Sequence, residues 1–176
     1  MTNAELAILG LVVEQPRHGY EIEGVIEARG MRDWTEVGFS SIYYLLKKLE
    51  DKGLVSAELA PAEGRGPARK VYAATEQGRS VWAQQSLEIL HTPVHQPTPF
   101  LLGLSALPAF PPAEVLTALE SRKAQLQERL DHMLASAERQ QPLPPHVDAM
   151  FRYSQTLLEA EIGWLAEYIT VQKSQE

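Results

Sequence analysis

Between Ser41 and Ala73 the spacing of apolar residues changes period once, and that change narrows the folds open to this chain. Ile42, Leu45, Leu46 and Leu49 fall at i, i+3, i+4 and i+7, one buried stripe on an α-helix for which Ser40 or Ser41 is the N-cap. Asp51-Lys52-Gly53 ends it, with Gly53 where a left-handed C-terminal residue is needed. Residues 54–59 then alternate, Leu, Val, Ala and Leu against Ser and Glu, with the two-residue period of a half-buried strand. The run 60–68, with PAEGRGP inside it, reads as a turn, and 69–73 as a second short strand.

Helical patterns flank this helix-to-hairpin switch on both sides. Asn3 is placed to cap a first helix with a broad apolar face (Leu6, Ile8, Leu9, Leu11, Val12, Val13), which Gln15-Pro16 ends. His18-Gly19-Tyr20 opens a second, carrying Ile22, Val25 and Ile26, with Gly30 as its stop and Trp34 expected to pack inward from the connector that follows. Thr75 caps a fourth helix with Val81, Trp82, Leu87 and Leu90 as apolar positions. Three helices followed by a hairpin is the order of a winged helix-turn-helix. The proline-rich HTPVHQPTP, residues 91–99, is expected to be non-helical. It divides a winged-helix domain (1–90) from a helical C-terminal domain (100–176). In the latter, Pro112 starts a long helix running to about Gln140, QPLPP forces a turn, and a last helix runs from His146 to Lys173. The fold class is therefore mainly α, a winged helix followed by a helical pair.

The chain has 176 residues and no cysteine, which excludes a disulfide scaffold, a thiolate zinc site and a cysteine nucleophile together. Its first residues lack the basic region and cleavage site of a secretory signal, and the apolar run from Ala7 to Val13 is too short to span a bilayer, so a cytoplasmic location without membrane contact is expected. No HExxH, GxSxG, P-loop or GxGxxG is present. His91 and His95 are four apart but lie in the proline-rich segment, where no helix holds them on one face. No catalytic residue, metal or cofactor is expected.

The formal charge of −7 opposes nucleic-acid binding when taken as a whole, but its distribution matters more. From Gly38 to Arg79 the chain carries Lys47, Lys48, Lys52, Arg65, Arg69, Lys70 and Arg79 against Glu50, Asp51, Glu58, Glu63 and Glu76, a net +2 window in a chain whose remainder is −9. The third helix leaves Ser40, Ser41, Tyr43, Tyr44, Lys47 and Lys48 off its apolar stripe. Arg65 stands at the wing tip, and Arg69 and Lys70 at the base of the return strand. These are the residue types that meet base edges and phosphates of duplex DNA when such a helix enters the major groove. A winged helix used for protein binding is the competing reading.

HGYEI, SSIYYLLKKLEDKGLV and EGRGPARKVYAATEQGR resemble the PadR family of transcriptional regulators, most specifically in RKVYAAT after the wing and in the GR near the start of the fourth helix. The resemblance covers about residues 4–90. The long C-terminal helices resemble the AphA-like branch. It implies a homodimeric winged-helix regulator on a pseudo-palindromic operator, usually a repressor, with DNA contacts at Ser40, Ser41, Tyr43, Tyr44 and Lys47 and at Arg65, Arg69 and Lys70. Tyr20 matches a recurrent family tyrosine, placed to reach a phosphate or brace the second helix.

The C-terminal helices repeat apolar residues at steps of three and four, with more apolar surface than one helical hairpin covers. A homodimer interface drawing on Leu126, Leu130, Met133, Phe151, Leu158, Ile162, Leu165 and Ile169 is the economical solution, an intramolecular bundle the alternative. Trp34, Trp82, Trp164, Phe100, Phe151 and Tyr168 are candidates to line a pocket for a small aromatic effector.

Overall fold

The computed structural model describes residues 1–35, 37–38, 41–60, 69–93 and 98–174, which divide into two units, 1–95 and 96–176. The first holds α1 (Asn3–Glu14), β1 (Arg17–His18), α2 (Gly19–Ala28), a 3-10 turn (Met31–Asp33), α3 (Ile42–Asp51), β2 (Val55–Ala60), β3 (Arg69–Ala74) and α4 (Glu76–His91). The second holds α5 (Pro99–Ser105), a 3-10 turn (Leu107–Ala109), α6 (Pro112–Arg139) and α7 (Pro145–Lys173).

Thr2, not Asn3, caps α1. Its hydroxyl accepts from the Glu5 amide at 3.2 Å while the Glu5 carboxylate accepts from the Thr2 amide at 2.8 Å, a reciprocal capping box that puts Asn3 one residue inside the helix. Ile8, Leu9 and Val12 of α1, Ile22 and Ile26 of α2, and Ile42, Leu46 and Leu49 of α3 then form one fully buried cluster. At about 1.5–3 kcal/mol for each side chain removed from water, this cluster is what holds three short helices together.

The helix stops fall where left-handed backbone is needed, at Gly30 (φ 58°) and Gly53 (φ 69°). The hairpin strands are antiparallel, paired from Val55↔Ala74 to Ala60↔Arg69. β1 adds on the other side of β3 through Arg17↔Tyr72 and His18↔Val71, giving the order β1-β3-β2. Nothing in the local sequence marks β1, because two residues after a proline carry no alternation and the strand exists only by pairing at a distance.

Thr75 caps α4 as expected. Its hydroxyl accepts from the Gly78 amide at 2.9 Å and donates to the Gly53 carbonyl at 2.8 Å, tying the new helix to the end of the previous one. Thr75→Ala is expected to destabilise the chain by about 1 kcal/mol, seen as a melting point lower by several degrees.

Three local expectations need correction. Trp34 is 52 % exposed, because the 3-10 turn before it sends Met31 into the core instead. On α4 Val81 and Trp82 pack on the core, whereas Leu87 and Leu90 are exposed. The proline-rich segment is helical at both ends: His91 closes α4, and Pro99 opens α5, since the first helical position needs no amide hydrogen.

In the second unit α6 and α7 pair antiparallel, with Lys173 meeting Glu120 at 2.6 Å and Arg122 meeting Glu161 at 2.7 Å. Leu116, Leu119, Leu165 and Ile169 fill the seam, flanked by Phe100, Val115, Leu126 and Tyr168. Among the described residues no helix is long and apolar enough to cross a membrane.

Candidate nucleic-acid interface

The face of α3 opposite its buried stripe is built from side chains that donate hydrogen bonds. Tyr43 and Tyr44 are both mostly exposed, and Lys47 stands out beside them. Ser41 is the N-cap residue, but its hydroxyl donates backward to the Gly38 carbonyl at 2.7 Å rather than capping α3. Ser40 lies outside the described residues. Tyr43 also braces the fold. Its ring covers Gly19 so closely that a Cβ there would sit 2.5 Å from it, which fixes the start of α3 against the start of α2. Tyr20, the next residue along α2, is 81 % exposed and borders a shallow groove with Glu23, Gly24 and Glu27.

The sheet brings the wing base to the same helix. Arg69 and Lys70 are exposed at the start of β3, while Arg65 lies outside the described residues. The Lys70 ammonium donates to both oxygens of Glu50 at 3.0 and 3.2 Å and stands 5.3 Å from the centre of the Tyr72 ring. Lys47 pairs with Asp51 one turn along α3. The Glu50 bond holds Lys70, and the Asp51 bond holds Lys47, above the ordinary lysine pKa, so both are charged at any physiological pH.

Lys48 is placed differently from the expectation. Its ammonium turns to α1 and meets Glu5 at 2.9 Å, and Lys52 reaches the same oxygen at 2.8 Å. Glu5 is 1 % exposed. Burial by itself raises the pKa of such a carboxyl, but hydrogen bonds from Lys52, the Thr2 amide and Lys48 outweigh it and bring the value down to about 2. Arg79, counted in the basic window, donates to the Val13 carbonyl at 2.8 Å and so closes the end of α1. The positive window therefore spends much of its charge inside the fold. Thr-x-x-Glu at residues 2–5 signals Glu5 locally; the Glu50–Lys70 pair spans 20 residues and needs the sheet to appear.

The eight predicted dimer residues fall into two sets. Leu130, Leu165 and Ile169 are buried within the unit, whereas Leu126, Met133, Phe151, Leu158 and Ile162 are half-buried. Met150, Leu157, Trp164 and Val171, seven residues apart along α7, are exposed. Of the six aromatic candidates, Phe100, Trp164 and Tyr168 meet in one chain of ring contacts, edge-on at 5.9 Å and stacked at 5.1 Å. Tyr168 also lines a cavity of about 270 Å³ with Leu107, Phe110, Pro112, Val115, Leu116 and Gln172. Trp82 packs on the α1 core beside Gly10, and Phe151 is half-buried on α7. Among the described residues no cluster of His, Asp and Glu is placed to hold a metal.

Solved structures share this fold. Bacillus subtilis PadR in complex with operator DNA superposes with a TM-score of 0.78 at 20 % identity, over 96 % of this chain and 98 % of that one. The same protein in complex with p-coumaric acid gives 0.79 at 19 % identity over the same shares. The PadR-like regulator BC1756 from Bacillus cereus gives 0.74 at 18 % identity, over 98 % of this chain and 99 % of that one. No curated protein matches the sequence. The model of the transcriptional regulator PadR-like family matches residues 8–84, from the core of α1 through the hairpin into α4. Over the winged helix the chain is therefore similar to the transcriptional regulator PadR-like family, and along its length it shares the fold of these solved structures.

Proposed function

We propose that this chain is a homodimeric, DNA-binding transcriptional repressor that reads a pseudo-palindromic operator with α3 and the wing. One observation carries the reading: α3 buries Ile42, Leu45, Leu46 and Leu49 and turns Tyr43, Tyr44 and Lys47 outward, while β3 sets Lys70 against the same helix. A helix with donors on its free face, beside a basic strand end, matches a major groove flanked by phosphates. The operator complex of the B. subtilis relative supports this reading.

The C-terminal unit supports the dimer. The exposed row Met150, Leu157, Trp164 and Val171 keeps a seven-residue spacing, which brings all four to one side of α7 and leaves much of their surface open in a single chain. A second copy laid along that row, with the half-buried Phe151, Leu158, Ile162, Leu126 and Met133 beside it, buries what the α6–α7 seam leaves open. The proposed division of labour keeps residues 1–90 for DNA, 91–99 as linker and 100–176 for pairing. The p-coumaric acid complex of the relative supports a small aromatic effector as the input.

Selecting binding sites from random duplex DNA tests the reading. The expected product is a sequence with two related half-sites, bound by two chains per duplex in sedimentation. On that sequence Tyr44→Ala is expected to change base preference, whereas Lys47→Ala weakens every duplex alike by roughly tenfold or less. No enriched sequence together with a monomer in solution would contradict it and would favour a winged helix that binds protein.

A further inference from the structure

On the surface proposed to meet DNA, two of the lysines that the sequence led one to expect as free positive charge are already paired with carboxylates. Lys47 and Lys70 lie on one patch, each with a carboxylate on it: Asp51 on Lys47, and Glu50 gripping Lys70 with both oxygens at 3.0 and 3.2 Å. These two ammonium groups and two carboxylates cancel one another at the junction of α3 and the wing base, where Arg69 is also exposed.

Neither carboxylate is explained by helix stability. Both stand in the last turn of α3, at the end where the helix dipole disfavours negative charge. The Lys47–Asp51 pair also has lysine before acid at i, i+4, the weaker of the two orders. All four side chains keep contact with water, so their pairing contributes little to folding. A phosphate approaching Lys47 or Lys70 meets Asp51 or Glu50 at the same place and is repelled by it.

We propose that Glu50 and Asp51 set the DNA affinity of this protein, by holding Lys70 and Lys47 in ion pairs that phosphate must share or displace, so that contact with arbitrary duplex stays weak. The proposal rests on the DNA-binding reading above. It makes the two acids specificity determinants. Phosphate contacts carry no sequence information, so damping them lowers non-operator binding while leaving base contacts from Tyr43 and Tyr44 intact.

Glu50→Gln and Asp51→Asn, singly and together, in the full chain, test it through equilibrium binding to the selected operator and to a scrambled duplex across a salt series. Each substitution is expected to tighten binding to both duplexes by roughly three- to tenfold at low salt. The double variant is expected to steepen the slope of log K against log salt by about one to two, with an unchanged melting point. Lys70→Gln is expected to cost more affinity in the Glu50→Gln background than in the parent chain, because there the lysine has only phosphate to pair with. Folded variants that bind no tighter than a parent that does bind, with an unchanged slope, would overturn the proposal and leave the DNA-binding reading standing. If neither parent nor variants bind any duplex at low salt, the DNA-binding reading itself has failed and takes this proposal with it. Binding gained by the variants where the parent shows none supports both.

Discussion

Gly78→Ala is expected to lower the stability of the chain by about 3 kcal/mol or more, at or beyond the upper end of what overpacking costs. A Cβ at this position would lie 2.0 Å from the Leu54 carbonyl oxygen and 2.9 Å from its carbon. That carbonyl has no room to retreat. It accepts from the Thr75 amide at 3.1 Å, and Leu54 itself is buried. The methyl group therefore has to lift the first turn of α4 off the start of the hairpin, taking Val81 and Trp82 from the core as it goes. Thermal unfolding followed by circular dichroism should show a melting point lower by about 10 °C or more. Gly24→Ala is the control: nothing lies within 4 Å of its Cβ position, so the same change in a helix of the same unit should be neutral or stabilising by about 0.5–1 kcal/mol. Equal melting curves for the two variants would contradict the close approach.

Glu5→Ala is expected to cost about 2–3 kcal/mol. The substitution removes the reciprocal cap on α1 and the anchor that two α3-side lysines share. Losing one partner of a buried pair costs about 3–5 kcal/mol when the other is stranded, but Lys48 and Lys52 are each about 40 % exposed and can turn to water, which holds the loss below that range. The same carboxylate gives the fold an acid limit. Its pKa lies at about 2 in the folded chain against an ordinary 4.5, so its stabilisation is complete above pH 4.5 and is lost as pH falls from there through about 2. Over that window the parent chain should lose roughly 3 kcal/mol through this group alone, and Glu5→Gln should lose correspondingly less. Parallel stability–pH curves for the parent and Glu5→Gln would show that Glu5 is not the group responsible.

The elements were legible where local chemistry writes them. Gly53 and Gly30 end helices because the backbone there is left-handed, and Thr75 announces α4 by the same hydrogen bond the structure contains. The change of period after Gly53 locates α3 and the strands of the wing to within a residue at most boundaries. Legibility ended where a residue's role depends on partners far along the chain. β1 exists only as a neighbour of β3, Trp34 and Leu90 are apolar yet exposed, and Lys48 answers to an acid 43 residues earlier. The interface suffered most from this. Charge counting finds a positive window, but the pairings that neutralise it run from α3 to α1 and from α3 to β3. The GR at residues 78–79 shows the opposite. It stands out in the sequence, and both residues prove to be structural, Gly78 under the Leu54 carbonyl and Arg79 on the Val13 carbonyl.

A helix and a wing base are proposed to meet duplex DNA through a small set of cations, most of them already paired within the fold. Titrating the selected operator duplex with the parent protein from low to physiological ionic strength measures that contact directly. A linear fall of log K with log salt is predicted, shallow for a winged-helix dimer, at about 0.9 per phosphate neutralised. Affinity that does not change with salt, or no affinity for duplex DNA at the lowest ionic strength, would contradict it.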